Sequence, residues 1–225
     1  MAWAFIVRPI ASGELADLWS STGSHVTLPK LAGLVFLGAD VNVRDPSGGT
    51  PLLWAVDDVN CVRFLVSHGA DVNAMDNEGS TALFNAATSG NIEVVKYLIA
   101  NGATDTDGAL QGAARSGDAS CLKYIWSTIP KVYADTATAL LMIVRDPTSA
   151  EFLLSKGANV NYIEVGSGNT PLMSAVRTNN SSLAECLIAH GANVNAGTTE
   201  NGSTLRGYAR SHPGIAALLK AAGAR

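Results

Sequence analysis

Gly69-Ala-Asp-Val-Asn73 has three close copies in this 225-residue chain, at Gly38–Asn42, Gly157–Asn161 and Gly191–Asn195. Two weaker copies complete a series whose glycines are spaced by 31, 33, 55, 34 and 32 residues. A fixed period of this length is typical of repeat proteins, in which each unit buries its apolar face against its neighbours. The 55-residue interval is predicted to contain one degenerate copy, because Gly90–Ile99 aligns with residues 117–126.

A second motif lies 19 or 21 residues before each glycine position. Thr50-Pro-Leu-Leu-Trp-Ala55 is matched by Thr81–Ala86 and Thr170–Ala175. Threonine favours a helix N-cap, and proline is tolerated at the first helical position. The later glycine favours a helix end with a left-handed backbone. The interval therefore predicts two short helices joined by a turn at residues such as Gly90 or Gly117. Looser versions of the motif begin at Gly108, Thr138 and Thr204.

The two motifs and the period near 33 resemble those of the ankyrin repeat family. The resemblance covers about residues 28–225 and implies an all-α solenoid of stacked helix-turn-helix pairs with β-hairpin or loop fingers. A single domain is expected over residues 1–225. It would contain a degenerate N-terminal capping repeat at 11–42 and repeats near 46–76, 77–106, 107–135, 136–165, 166–199 and 200–225.

The chain departs from the family pattern in two ways. The family's histidine after Thr-Pro-Leu is replaced by another residue in every copy, so order between repeats is expected to depend more on apolar packing. The intervals from the motif glycine to the next helix start shorten to 6 and 9 residues around residues 107–138. Truncated fingers are expected there, with a plain loop at Lys131–Ala137. The residues that replace the histidine are Leu53, Phe84, Gln111, Leu141 and Met173.

Composition limits the classes of function. The net charge is −4 and only 15% of residues are charged, so a nucleic-acid partner is not expected. No apolar run approaches the roughly 18 residues of a membrane helix, and no membrane association is expected. Three cysteines without paired spacing favour a reducing, cytoplasmic location. No catalytic, metal-binding or cofactor motif is found, so the chain is expected not to be an enzyme and to hold no cofactor or metal. A monomer is also expected.

In the ankyrin family the first helix of each pair lines a concave groove. The residue four positions after the threonine would point into this groove, and a second column lies three residues further on. Aromatic side chains at such exposed positions are typical of protein-binding sites. The alternative for Trp54 is that it packs against a neighbouring helix or the N-terminal residues. The arginines suit acidic partners or, alternatively, only favour the helix C-terminus. The expected protein contacts are Trp54, Asp57, Asp58, Phe84, Asn85, Arg115, Met142, Arg145, Arg177 and Tyr208.

The function that the resemblance implies is protein binding through the concave groove and the fingers. A sharper hypothesis is an inhibitor or immunity-type protein that covers an enzyme or toxin. The main alternative is an adaptor or scaffold that bridges two proteins. A small-ligand sensor or an enzyme is the remote alternative, because no convergent set of polar residues supports it.

Overall fold

A computed structural model describes residues 12–15, 27–130, 132–196 and 205–224, apart from the side chains of Arg206 and Tyr208. No described residue belongs to an extended strand, and an isolated antiparallel bridge joins Met75 and Thr81. The all-α solenoid fold is confirmed. Residues 12–15 are helical, and the named helices are α1 (Leu28–Phe36), α2 (Pro51–Trp54), α3 (Val59–Ser67), α4 (Ala82–Ser89), α5 (Ile92–Ala100), α6 (Thr106–Ser116), α7 (Ala119–Thr128), α8 (Ala134–Leu141), α9 (Pro147–Ser155), α10 (Pro171–Arg177), α11 (Ser181–Ala189), α12 (Leu205–Ala209) and α13 (Pro213–Ala221).

The repeated motifs begin and end helices as predicted. Thr81 and Thr170 are N-caps whose hydroxyls accept hydrogen bonds from the N–H groups of Phe84 and Met173, at 3.1 and 3.2 Å. Thr50 is the N-cap of α2 without such a bond. All six motif glycines have φ between 87° and 91°, the left-handed conformation that closes the preceding helix.

The described chain divides into two compact units, Met1–Ala113 and Ala114–Arg225. In the first unit, α2 packs against α3 and α4, α4 against α5, and α3 against both α1 and α5. We call α2 and α4 the first helices of their pairs, and α3 and α5 the second helices. Leu65 and Leu98 are fully buried in the second helices. Burying a leucine side chain contributes about 1.5–3 kcal/mol, so these contacts hold the pairs together.

The second unit repeats this pattern. The first helices α8, α10 and α12 pack against the second helices α9, α11 and α13, respectively. Along the stack, α7 packs against α9, α9 against α11, and α11 against α13. Leu122 and Leu153 are fully buried in α7 and α9. The division of the chain into particular repeats stays a prediction.

The connections between pairs fall into two classes. Residues 37–50 and 68–81 form 14-residue fingers, and residues 156–170 form a 15-residue finger. Residues 101–105 and 129–133 form connections of only five residues. The prediction of truncated fingers around residues 107–138 is therefore confirmed.

Two helix starts differ from the prediction. The motif at Gly108 predicted a helix from residue 109, but α6 begins at Thr106 because Asp105 caps it, accepting a 3.0 Å hydrogen bond from the Gly108 N–H. The motif at Thr138 predicted a helix from residue 139, but α8 begins at Ala134. Lys131–Ala137 was therefore wrongly predicted to be a loop throughout. No glycine or proline in residues 132–138 interrupts the longer helix.

The missing histidines predicted that order between repeats depends more on apolar packing, and the structure adds a second contribution to the buried apolar contacts. The motif asparagines form a ladder of hydrogen bonds to the next repeat. Asn42 Nδ2 donates to the Gly69 carbonyl at 3.0 Å, and its Oδ1 accepts from the Asp71 N–H at 2.8 Å. Asn161 forms the same pair of bonds with Gly191 and Asn193, at 3.1 and 2.7 Å. The sequence contains this signal in the final asparagine of each close motif copy, but the spacing of the copies did not reveal the bonds.

Candidate functional site

Trp54, the last residue of α2, is held in place but not covered. Its Nε1–H donates to Asp45 Oδ2 at 2.9 Å. One edge of the ring packs on the finger backbone, since a Cβ at Gly49 would lie 2.5 Å from Nε1. The side chain remains 39% exposed. An aromatic ring already fixed in one orientation loses little conformational entropy when a partner covers it.

The finger below Trp54 is built around the Asp45 carboxylate. Partial burial acts to raise the pKa of Asp45, but hydrogen bonds from the Ser47 hydroxyl, the Gly49 N–H and the Trp54 indole hold that pKa below its usual value. Oδ1 accepts the Ser47 and Gly49 N–H groups at 2.8 and 3.0 Å. The ionised carboxylate therefore fixes both the finger turn and the orientation of the indole.

The two aspartates after α2 have different environments. Asp57 is exposed. Asp58 is the N-cap of α3, and its Oδ1 accepts the Asn60 N–H at 2.8 Å and the Cys61 N–H at 3.4 Å. The Cys61 thiol also donates to Asp58 Oδ2 at 3.4 Å. The Asp58 carboxylate therefore stabilises the start of α3. Of the two carboxylates, that of Asp57 is more accessible to a partner.

Phe84 and Asn85 lie on α4 and are both half-buried. Asn85 Nδ2 donates to the Leu53 carbonyl at 3.0 Å and so joins two successive first helices. Helix α6 approaches α4 closely here, because a Cβ at Gly112 would lie 2.7 Å from Thr88 Oγ1 and 2.8 Å from the Phe84 carbonyl oxygen. The hydrogen bond to Leu53 gives Asn85, like Asp58, a structural role.

The three arginines share exposure but not position. Arg115 lies in the last turn of α6 and Arg177 ends α10, whereas Arg145 lies in the loop between α8 and α9. All three are exposed, and within the described residues none of their side chains forms a hydrogen bond or an ion pair. The Arg145 carbonyl accepts Asn180 Nδ2 at 2.6 Å, which fixes that loop. Their guanidinium groups are available to carboxylates of a partner.

Met142, the C-cap of α8, is half-buried at the edge of a cleft of about 350 Å³. The sequence predicted a gap in the row of fingers here, but of the residues that line the cleft it identified only Met142 as a contact. The short connection at 129–133 was the available signal. Tyr208 belongs to α12, but its side chain lies outside the described residues. The cleft is lined by Asp135, Thr138, Ala139, Met142, Ile143, Asn159, Tyr162 and Glu164.

All three cysteines are buried, and the pKa is raised at two of them. Burial raises the pKa of the Cys61 thiol to about 12, and the hydrogen bond to Asp58 and its charge act in the same direction. Burial also raises the pKa of Cys186, together with the charges of Glu151 and Asp146. Neither thiol is activated as a nucleophile, because nucleophilic cysteines need a lowered pKa.

The described part of the chain holds neither a metal-binding cluster nor a helix that could span a membrane. No group of three or more histidine, cysteine, aspartate or glutamate side chains there has an arrangement that could hold a metal ion. None of the helices there combines the length and the apolar character needed to cross a membrane.

Comparison with protein families supports the fold. The family model described as ankyrin repeats matches residues 27–108, 110–198 and 141–224. The ankyrin repeat domain of human ASB11 has a similar structure, with a TM-score of 0.67 and 22% sequence identity. The similarity covers 96% of this chain and 98% of that domain. At this level of identity the similarity concerns the fold alone.

Two curated proteins have related sequences. Ankyrin repeat and KH domain-containing protein mask-1 of Caenorhabditis elegans is 28% identical over an alignment of 183 residues that covers 76% of this chain. The B-cell lymphoma 3 protein homolog of Mus musculus is 35% identical over 68 residues, or 30% of this chain. These alignments cover 7% and 15% of the respective relatives. The chain thus spans only a small part of either protein.

Proposed function

Because the chain belongs to the ankyrin repeat family, whose repeats are protein–protein interaction modules, we propose that it acts by binding a protein partner at the ends of its first helices and at its fingers. The observation that carries this proposal is Trp54, which is fixed by Asp45 and Gly49 yet 39% exposed. A rigid, accessible tryptophan is typical of residues that contribute most of the energy of an interface.

Within the first unit, the proposed contacts beside Trp54 are Asp57 and Phe84. Asp58 and Asn85 then act indirectly, since one caps α3 and the other joins α4 to α2. In the second unit the proposed contacts are the exposed guanidinium groups and Met142. Arginine can form paired hydrogen bonds to a carboxylate, so an acidic surface on the partner is favoured at these positions.

The sharper proposal is that binding blocks the partner, as in an inhibitor or immunity-type protein of an enzyme or toxin. Its support is that the proposed contacts are binding groups, a fixed and exposed indole and exposed guanidinium groups, which act by covering a partner surface. An adaptor that bridges two proteins is the second proposal. The two differ in stoichiometry, because an adaptor binds two partners at once and an inhibitor needs one.

The test is affinity capture from extracts of the native cells, with quantitative mass spectrometry. The baits are the wild-type chain, Trp54→Ala, and the double variant Arg145→Ala/Arg177→Ala. Phe36→Ala is the matched control, because Phe36 is a large exposed apolar side chain on α1 that is not among the proposed contacts. We expect one stoichiometric protein that the control retains and Trp54→Ala loses by tenfold or more.

Two results would contradict the proposal. One is a partner retained equally by all variants, which would move the interface away from these residues. The other is a chain that captures no protein at native concentration. Where a partner is found, a purified enzyme that keeps full activity in the complex would exclude inhibition. A second protein bound to the same complex would favour the adaptor.

A further inference from the structure

The cleft beside Met142 is an open depression of about 350 Å³ within the second unit. One wall is formed by α8 and the residues that follow it. The other wall is the start of the finger at residues 156–170. A hydrogen bond fixes the two walls, because the Asn159 N–H donates to Thr138 Oγ1 at 2.9 Å. The cleft is therefore part of the folded unit rather than a gap between loose loops.

The short connection before α8 explains why one side of the finger at 156–170 is not covered by a preceding finger. In the first unit, consecutive long fingers bind one another. The Asn77 N–H donates to the Ser47 carbonyl at 2.9 Å, and Arg44 Nη1 donates to the Met75 carbonyl at 2.6 Å. Residues 129–133 are too short to offer the same partner to the finger at 156–170. That finger therefore keeps a flank that no preceding finger covers.

The residue that follows the motif asparagine is small in the finger at 68–81 but aromatic in the finger at 156–170. Ala74 follows Asn73 in the motif and is only 4% exposed. Tyr162 follows Asn161 in the same way, is half-buried and lines the cleft. Its ring leaves an amphipathic surface on the finger, with an apolar face and a hydroxyl that can form hydrogen bonds.

The chemistry of the cleft combines an apolar floor with negative charge. Ala139, Met142 and Ile143 supply apolar surface together with Tyr162. Asp135 on α8 and Glu164 on the finger supply two exposed carboxylates, and no lining residue is basic. The Ser167 hydroxyl donates to Glu164 Oε2, which restrains this carboxylate. Apolar stem contacts combined with carboxylates suit the long side chain of arginine or lysine.

The fingertip extends this surface. Ile163 and Val165 flank Glu164 and are 58% and 91% exposed. The turn is also longer than its counterparts, since Glu164 N–H donates to the carbonyl of Asn169, five residues on, whereas Asp76 N–H donates to that of Ser80, four residues on. Exposed β-branched side chains at a protruding turn favour contact with apolar residues of a partner.

We propose that this cleft binds a segment of the protein partner that inserts an arginine or lysine side chain next to an apolar residue. The proposal rests on the proposed protein-binding function and specifies one contact. The basic side chain lies along Met142 and Tyr162, and its charge lies between Asp135 and Glu164. The neighbouring apolar residue contacts Ile163 or Val165. The cleft volume, at the lower end for ligand sites, suits one long side chain better than a large organic ligand.

The experiment selects random dodecapeptides displayed on phage against the full chain, then measures synthetic peptides by fluorescence anisotropy. The cleft variant is Asp135→Asn/Glu164→Gln. The matched control is Glu151→Gln/Glu185→Gln, which removes the same charge from exposed positions of the same unit outside the cleft. Ala139→Leu is a second cleft variant, which fills the space at an exposed position without changing charge.

We expect enriched peptides to contain arginine or lysine beside an apolar residue. The dissociation constant should rise tenfold or more with the cleft variant and with Ala139→Leu, and less than twofold with the control. Replacing the basic residue by neutral citrulline or norleucine should weaken binding to the same extent as the cleft variant.

Three outcomes would overturn the proposal: no enriched peptide, enriched peptides without a basic residue, or binding that the cleft variants do not change. Failure here is distinguishable from failure of the proposed function. A native partner that is captured by the cleft variant and lost by Trp54→Ala would leave protein binding intact and exclude only the cleft.

Discussion

The connection at residues 68–81 and the connection at residues 101–105 follow equivalent helices, α3 and α5, yet one has 14 residues and the other five. The longer one is closed by its own turn and bonded to the preceding finger. In the shorter one, the Gly102 carbonyl accepts from Asn73 Nδ2, the Thr104 N–H donates to Asn73 Oδ1, and Asp105 caps the next helix. The comparison teaches that helix pairs can stack without a long finger between them, whereas consecutive long fingers bond to one another.

The largest expected effect tests whether both regions share one core. Leu65 precedes a long finger and Leu98 a short connection, and both are fully buried four residues before a motif glycine. Leu65→Ala and Leu98→Ala should each lower the free energy of unfolding by about 2–5 kcal/mol, because each leaves a cavity. Urea denaturation measures both. A loss below about 1 kcal/mol at one position would show that the two pairs are packed differently.

The next effect probes the close approach of helices at the short connection. Gly112→Ala should destabilise the chain by about 1–3 kcal/mol, because the new Cβ would overlap Thr88 Oγ1 and the Phe84 carbonyl oxygen. Gly33→Ala in α1 is the matched control, because no atom lies within 4 Å of its Cβ position. The control should gain about 0.4–1 kcal/mol. Equal melting temperatures for the two variants would contradict the close packing of α6 on α4.

A smaller effect compares the motif asparagine with its substitute. Asn73 Nδ2 donates to the Gly102 carbonyl at 3.0 Å, and its Oδ1 accepts the Thr104 N–H at 2.9 Å. Asn73→Ala should cost about 1–3 kcal/mol through these lost bonds. Thr106 occupies the same motif position after the short connection, and Thr106→Ala should change stability by no more than about 0.5 kcal/mol. Similar costs for both in chemical denaturation would argue against the ladder.

The smallest effect concerns acid. The pKa of Asp45 is held below its unfolded value, so the carboxylate stabilises the folded chain above about pH 4, and that contribution is lost as the pH falls through the lowered pKa. Asp45→Asn should therefore be less stable than wild type by under about 1 kcal/mol at about pH 6, and the difference should vanish near about pH 2. A difference that stays constant across this range in denaturant titrations would contradict the role of the ionised form.

The sequence predicted the regular parts of the fold because the residues that start and end these helices act locally. Thr81 and Thr170 cap helices through their own side chains, and the motif glycines need only a left-handed backbone. The starts of α6 and α8 were missed because the motif there has decayed. Asp105 takes over as a cap, and residues 132–138 contain nothing that stops a helix.

The candidate site was less predictable because its contacts join residues far apart in the chain. The bonds from Trp54 to Asp45 and from Asn85 to Leu53 need the folded finger and stack. The cleft combines residues 135–143 with 159–164, and it exists because a neighbouring finger is shortened. Composition and spacing identified positions that are exposed in this kind of fold. They did not identify which side chains there are hydrogen-bonded within the protein.

The asparagine ladder has a consequence for how such a chain changes over generations. Within the described residues, the side chains of Asn42 and Asn161 bond to main-chain groups of the following repeat, a carbonyl and an N–H that every amino acid except proline provides. A gene duplication or deletion that keeps whole repeats therefore restores the same bonds at the new junction. Side chains elsewhere are then free to diverge, so a lineage can exchange one binding specificity for another without redesigning the joints.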